Sequence, residues 1–132
     1  MKALSVVAPA GSLISQGIKT LEIRRWIPDL TPDEDLIIVE NNQFLTMEGD
    51  EDTGVAVAIV NIITIRPFTP EDISAACASS YEKGWFAWEI ANVRTIPAFT
   101  VRAARKIYQL NVNPSAFSDQ KTSEGLTFSR YQ

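Results

Sequence analysis

The stretch GIKTLEIRRW, residues 17–26, carries most of the information about how this chain folds. Residues 20–24 alternate between polar and apolar types, which predicts a β-strand with one face in a hydrophobic core. Thr20, Glu22 and Arg24 then lie along the other face. Three polar side chains are therefore expected to line up along one strand.

The segment before this strand predicts a first strand, a helix and a tight turn. Ala3–Val7 has the length and composition of a short β-strand. Pro9–Gln16 is typical of a short helix, because proline is favoured at a helix start and Gly17 can adopt the positive φ that ends one. The turn at Gly17 then delivers Lys19 to the polar face of the next strand.

Four further strands are predicted beyond residue 26. Leu36–Glu40 is a β-branched run that reads as a buried strand. Val55–Ile65 is rich in Val and Ile and too continuous for a half-exposed ribbon, so it predicts a long central strand. Trp85–Val93 alternates as a strand with Trp88 in the core, and Arg105–Val112 is the last predicted strand.

A second helix is predicted between the long central strand and the aromatic strand. Thr69 is a favourable N-cap residue, and Pro70 suits the first helical turn. Apolar and small residues then recur at helical spacing as far as Tyr81, and Gly84 ends the helix. This spacing places Cys77 on the packing face, as an inert core residue rather than a nucleophile.

The composition and element order indicate one α+β domain. A chain of 132 residues with 45% hydrophobic content has the usual size of a single domain. The order strand, helix, strands, helix, strands favours a mixed sheet or small barrel over a parallel βαβ array. Residues 1–113 are predicted to form this domain. Residues 114–132 are polar and lack apolar periodicity, which is typical of a mobile tail.

The residue counts exclude several kinds of site. The chain has no histidine and one cysteine, so it lacks an intramolecular disulfide, a Ser-His-Asp triad and the soft ligands that zinc prefers. We therefore expect no metal site and no cofactor. No apolar stretch approaches the roughly 20 residues of a membrane-spanning helix, so we expect no membrane partner and a cytoplasmic location.

Charge is distributed unevenly along the chain. The net charge of −4 argues against a protein that coats nucleic acid through bulk electrostatics. Residues 27–65 contain nine acidic residues and no Lys or Arg, whereas the rest of the chain carries a net +5. The simpler interpretation is ordinary charged surface loops, and the alternative is one acidic and one basic face.

Two blocks of the sequence resemble an ASCH (activating-signal-cointegrator homology) domain. The first runs from the N-terminal strand through Pro9 to the G-x-K-x-x-E-x-R pattern of residues 17–24. The second is the aromatic segment Trp85–Arg94, with Pro97 behind it. The resemblance implies a PUA-like mixed-sheet β-barrel with two main flanking helices, and a ligand cleft beside the G-x-K-x-x-E-x-R pattern.

The resemblance also implies a function. ASCH-like proteins are thought to bind RNA or nucleotides, and some similar proteins hydrolyse N4-acetylcytidine or cut RNA. Many relatives carry Trp after the proline of the first helix, where this chain has Ala10 and Gly11. The acetylcytidine-cleaving branch tends to have Thr at the position of Glu22.

The family pattern identifies a set of candidate site residues in this sequence. The implied ligand-binding residues are Pro9, Gly17, Lys19, Glu22, Arg24 and Trp26. If the protein is an enzyme, Lys19 and Glu22 are the expected catalytic residues, because together they could activate a water molecule. Further basic residues could extend a rim for a phosphate backbone, namely Arg94, Arg102, Arg105 and Lys106.

The sequence leaves three functions open. The first is a module that binds RNA or a nucleotide-like ligand through Lys19 and Arg24. The second is a small amidohydrolase or nuclease acting on nucleosides or RNA, similar to N4-acetylcytidine amidohydrolase. The third is a protein-interaction domain that uses the acidic segment 27–65.

Overall fold

The computed structural model describes residues 1–112. The predicted polar tail, 114–132, lies outside these described residues. In chain order the elements are β1 (Lys2–Val7), α1 (Ala10–Ser15), β2 (Leu21–Arg24), β3 (Leu36–Asn41), β4 (Glu51–Pro67), a 3₁₀ turn (Pro70–Asp72), α2 (Ile73–Ala76), β5 (Phe86–Ala104) and β6 (Ile107–Gln109).

The strands form one mixed sheet with the order β2-β5-β4-β3-β1-β6. β1 and β3 run parallel, and the other neighbouring strands are antiparallel. A mixed six-stranded sheet with few helices is the architecture expected for an α+β, PUA-like chain. The predicted closed barrel is not formed, because β2 and β6 remain edge strands within residues 1–112.

A side chain, and not a strand pair, spans the gap between the two ends of the sheet. Arg24 at the end of β2 donates from Nη2 to the backbone carbonyl of Ser5 on β1, at 2.9 Å. β2 has only four residues and pairs with β5 alone, so its second edge is short and is left without a strand partner within residues 1–112. The sheet therefore curls toward closure without completing a backbone ladder.

Both faces of β3 are buried, as its continuous apolar sequence predicts. Leu36 and Ile38 belong to one hydrophobic cluster, and Ile37 and Val39 belong to another on the opposite face. Trp88 of β5 is fully buried in the first cluster, which confirms its predicted core position. The centre of the sheet is thus packed on two sides.

β4 and β5 are much longer than the sequence predicted. They contain 17 and 19 residues and pair antiparallel from Glu51 with Ala104 to Pro67 with Phe86. Their register shifts three times, once between Ala56 and Ala58, opposite the segment that contains Pro97. A proline is tolerated in a paired strand at such an irregularity because no ladder hydrogen bond is required of its nitrogen. β5 therefore continues beyond Val93.

The second predicted helix begins as expected but ends early. Thr69 and Asp72 form the capping interaction at its start, with the Asp72 carboxylate accepting from the Thr69 amide at 2.9 Å. α2 then ends after Ala76, and Cys77 adopts the left-handed conformation with φ of 52°. The predicted continuation to Gly84 is wrong, and so is the expectation of two main flanking helices, since α1 has six residues and α2 four.

Tertiary hydrogen bonds explain the early end of α2. The carbonyl of Ala76 accepts from the Lys19 ammonium at 2.6 Å, and the carbonyl of Ala75 accepts from the Thr20 amide at 2.9 Å. Both carbonyls would otherwise receive amide donors from the next helical turn. Cys77 is consequently exposed, which corrects its predicted place on the packing face.

The helices are all short. The longest helix among residues 1–112 is α1, with six residues. No helix in this part of the chain is long and apolar enough to cross a membrane.

Candidate ligand-binding cleft

A cleft of about 720 Å³ opens beside β2. Its walls are the ends of β1 and β2, the start of α1, the loop of residues 43–46, the end of α2 and the turn at residues 104–106. This volume lies within the range of pockets that hold small organic ligands. The cleft therefore lies where the sheet curls but does not close.

Lys19 lies in the wall of the cleft with only 8% of its surface exposed. Its ammonium donates to the Ala76 carbonyl at 2.6 Å and lies 3.4 Å from Oε1 of Glu22. The turn before it depends on Gly17, which has a φ of 77°. Gly17 itself does not line the cleft, so its place in the predicted site is that of a turn residue.

Glu22 and Arg24 project into the cleft from the same face of β2, as the alternation predicted. Glu22 is 7% exposed, and its Oε2 accepts from Arg24 Nε at 2.7 Å. Each carboxylate oxygen therefore faces one cation, because Oε1 faces Lys19. Leu21 lies on the other side of β2, in a cluster that includes Ala76.

The cluster of Lys19, Glu22 and Arg24, called here the inner cluster, has spare hydrogen-bond donors. An ammonium carries three donors and a guanidinium carries five. Among the contacts of residues 1–112, Lys19 uses two and Arg24 uses Nε and Nη2, while no partner is found for Arg24 Nη1. The inner cluster therefore favours a ligand that presents hydrogen-bond acceptors, such as carbonyl or phosphate oxygens.

The lining of the cleft is strongly basic. Of the described residues that line it, five are basic and one is acidic, namely Lys19, Arg24, Arg25, Arg105, Lys106 and Glu22. The formal charge of the lining is therefore +4, on a chain whose net charge is −4. Positive charge focused in a concave site raises the local concentration of anionic ligands.

Trp26 forms part of the wall, as the sequence predicted for it. Its ring meets the buried Trp88 edge-on, with 5.0 Å between centroids and an interplanar angle of 83°. The ammonium of Lys106 lies 5.5 Å from the centroid of the Trp26 ring. Trp26 is thus a fixed aromatic surface beside a cation.

Only two of the four residues of the predicted basic rim lie at the cleft. Arg105 and Lys106 line the cleft, whereas Arg94 and Arg102 do not. Arg94 is paired with Asp35 at 2.9 Å and Arg102 with Glu51 at 3.3 Å. Both are thus engaged elsewhere on the surface by carboxylates of the acidic segment 27–65.

The remaining predicted residue, Pro9, also lines the cleft, next to Ala10. Sequence reasoning missed Cys77 and the loop that carries Phe44, which lies at the rim with 79% of its surface exposed. A large aromatic residue in a polar stretch, NNQFLT at residues 41–46, was the available signal. Cys77 was missed because its position depends on the early end of α2.

A hydrogen-bond network behind the cleft fixes its far wall. The Ser5 hydroxyl accepts from the Ala104 amide at 3.2 Å and lies 2.8 Å from the Tyr108 hydroxyl, which donates to the Arg102 carbonyl at 3.0 Å. Burial raises the pKa of the Tyr108 phenol. Tyr108 therefore remains a neutral hydrogen-bonding group that anchors the turn between β5 and β6.

No metal-binding arrangement is found within residues 1–112, where no three or more carboxylate or thiol side chains are grouped suitably. The polar chemistry of the cleft consists of ammonium, guanidinium and carboxylate groups. It offers charge and hydrogen bonds.

The model of the ASCH domain family matches residues 4–99 of this chain. The matched range contains the inner cluster, Trp26 and the paired strands β4 and most of β5. A comparison with curated proteins finds no match. Because the family model covers well over half of the 132 residues, the chain belongs to the ASCH domain family.

Proposed function

We propose that this ASCH domain binds RNA or a nucleotide-like ligand in the cleft around Lys19, Glu22 and Arg24. The observation that carries the proposal is the +4 lining on a chain of net charge −4. Concentrated basic charge in an otherwise acidic protein favours an anionic ligand at that site. The proposed partner is therefore RNA or one of its components. The proposed location is the cytoplasm.

The dimensions and aromatic residues of the cleft support a nucleoside moiety in particular. A volume of about 720 Å³ leaves room for a base and its sugar. Trp26 and Phe44 both line the cleft and offer flat apolar surfaces. Stacking of one base on an aromatic side chain contributes about 1–3 kcal/mol.

The inner cluster supplies the polar half of the proposed recognition. Its spare donors, on Lys19 and on Arg24 Nη1, match the carbonyl oxygens of a base or the oxygens of a phosphate. Glu22 holds both cations in place at 3.4 and 2.7 Å. In this proposal Glu22 orients the donors, and Pro9 closes the wall beside them.

The test of the binding function is the affinity of a labelled single-stranded RNA of about eight nucleotides. Lys19→Met removes the ammonium but keeps the length of the side chain. We expect a loss of at least about tenfold in affinity, because a hydrogen bond to a charged group contributes about 1.5–3 kcal/mol. Lys83→Met is the control, since Lys83 is an exposed cation that does not line the cleft. Equal affinities for the two variants would contradict the proposal.

Hydrolysis of acylated nucleosides or RNA is the second candidate function. The observation in its favour is that Lys19 and Glu22 approach within 3.4 Å inside the cleft. Binding ranks first because Ala76 and Arg24 already engage these groups, whereas a catalytic base needs to reach a water or substrate proton.

The Glu22→Gln variant distinguishes hydrolysis from binding. If Glu22 transfers a proton, Glu22→Gln lowers turnover of acylated cytidines or RNA by about 100-fold or more and changes ligand affinity far less. If the protein only binds its ligand, no turnover is found in the unsubstituted protein. In that case the loss in Glu22→Gln appears in affinity alone.

A further inference from the structure

We propose that Arg25, Arg105 and Lys106 form a phosphate subsite, separate from the inner cluster, that binds the backbone of a single-stranded nucleic acid. This inference rests on the proposed function, since it names which part of the ligand each group of cations contacts. The inner cluster contacts the base and sugar. The three outer cations each contact one phosphate.

The first observation is the pattern of ion pairing. Six cations of residues 1–112 are within 4.0 Å of a carboxylate, namely Lys2, Lys19, Arg24, Arg66, Arg94 and Arg102. In the same range, no such pair is found for Arg25, Lys83, Arg105 or Lys106. Three of these four unpaired cations line one cleft.

The unpaired cations are not explained by a shortage of acids. The chain contains 16 acidic residues and 12 basic ones. Arg25 and Lys106 are exposed and Arg105 is half-buried, so solvent reaches all three charges. Like charges that line one concave surface still repel one another, and the repulsion is relieved when an anion binds between them. Their collection in one cleft is the arrangement expected of an anion site.

The second observation is the position of the turn that carries Arg105 and Lys106. Ala104, the residue before it, donates to the hydroxyl of Ser5, whose carbonyl accepts from Arg24. The turn is therefore joined through a single residue to the inner cluster. These two hydrogen bonds place the turn next to the groups that would hold the base.

The third observation concerns the two outer side chains next to aromatic rings. Lys106 lies 5.5 Å from the centroid of Trp26, and Arg25 lies 5.6 Å from that of Trp85. Contact with a ring face favours a cation without neutralising its charge. Each of these cations is thus held in place while its charge remains available to a phosphate.

The backbone at Lys106 adds to this argument. Lys106 has a φ of 59°, a region in which Gly, Asn and Asp are favoured over other residues. The turn geometry alone therefore does not call for lysine. A lysine at this position projects a charge into the cleft at some cost in backbone energy.

The predicted signature of the subsite is salt dependence. Each phosphate contact with a single strand contributes about −0.7 to the slope of log affinity against log salt concentration. Three contacts therefore predict a loss of roughly 20-fold in affinity for a fourfold rise in salt. An uncharged nucleoside, which contacts only the inner cluster, should show almost no salt dependence.

The experiment compares a nucleoside, its 5′-monophosphate and a single-stranded RNA of about eight nucleotides, each titrated at two salt concentrations fourfold apart. In Lys106→Gln the loss of RNA affinity with salt should fall to roughly sevenfold, and in Arg105→Gln/Lys106→Gln to roughly 2.5-fold. The matched control is Lys83→Gln, which removes an unpaired cation outside the cleft and should keep the full dependence. The monophosphate should lie between the nucleoside and the RNA.

The outcomes test the phosphate subsite separately from the proposed binding function. If RNA binds and the double variant keeps the full salt dependence, the phosphate subsite is wrong and the binding function stands. The same holds if the nucleoside binds as tightly as the RNA. If none of the three ligands binds the unsubstituted protein, both are overturned.

Discussion

The ammonium group of Lys19 caps helix α2 through the carbonyl of Ala76, 57 positions later in the chain, at 2.6 Å. The same ammonium lies 3.4 Å from the carboxylate of Glu22. One side chain therefore ends a helix and completes the polar wall of the cleft. Stability and ligand binding are expected to depend on it together.

Lys19→Met should destabilise the fold, because it leaves the Ala76 carbonyl and one Glu22 oxygen without a buried donor. We expect a loss of about 1–3 kcal/mol in the free energy of unfolding. The measurement is urea denaturation of Lys19→Met, Glu22→Gln and the double variant. The two losses should not add, since the groups are in direct contact. Simple additivity would show that the contact contributes nothing.

The pH dependence of stability should depend on Asp72. The Arg66 guanidinium, at 2.8 Å, and the hydrogen bonds from Thr69 lower the pKa of this carboxyl from 3.8 to about 2. A depressed folded-state pKa contributes stability above the unfolded value, and this contribution is lost as the pH falls from 3.8 toward 2. The contribution should be roughly 1–2 kcal/mol.

Asp72→Asn is the variant that isolates this effect. It should be less stable than the unsubstituted protein in urea denaturation near neutral pH, and the difference should shrink as the pH approaches about 2. Both proteins lose the contributions of their other carboxylates equally. A difference that stays constant over this pH range would mean that Asp72 acts by shape and not by charge.

Substitution of two glycines by alanine should separate backbone strain from crowding. Gly17 has a φ of 77° with open space around a Cβ atom, so Gly17→Ala should cost about 1 kcal/mol. At Gly54 a Cβ would meet Val39 at 2.6 Å and the Glu40 carbonyl at 3.0 Å. Gly54→Ala should therefore cost more, about 2–3 kcal/mol. Thermal unfolding should show a larger loss of stability for Gly54→Ala than for Gly17→Ala. The opposite order would contradict this prediction.

Cys77 should react with an aromatic disulfide reagent in the folded protein. Its residue is exposed and lines the cleft, so the single thiol of the chain should be modified without denaturant. Bound RNA should slow the reaction if it occupies the cleft. If the thiol reacts only after unfolding, Cys77 is buried in the folded protein, as the helical spacing predicted.

The sequence was informative where the cause of a structure was local. Alternation along β2 predicted that Glu22 and Arg24 share a face, and the conformational freedom of Gly17 predicted the turn that delivers Lys19. Thr69 and Pro70 marked the start of the second helix for the same reason, since the capping partner of Thr69, Asp72, lies only three positions later.

Prediction failed where the cause came from distant residues. The end of α2 depends on Lys19 and Thr20, which no helical spacing in residues 73–84 reveals. The length of β5 depends on its register with β4, whose irregularities accommodate Pro97. The sequence could not show that Arg105 lines the cleft while Arg94 does not. That difference depends on which cations have carboxylate partners, and hence on the folded arrangement of the acidic segment.

The unclosed sheet has a thermodynamic consequence. Its seam is held by the Arg24 guanidinium on the Ser5 carbonyl, and the same guanidinium lines the cleft. A ligand that draws Arg24 inward competes with the seam, whereas one that binds Nη1 while leaving Nη2 in place reinforces it. Ligand binding in the cleft and the opening of the sheet at this seam are thus thermodynamically coupled through Arg24.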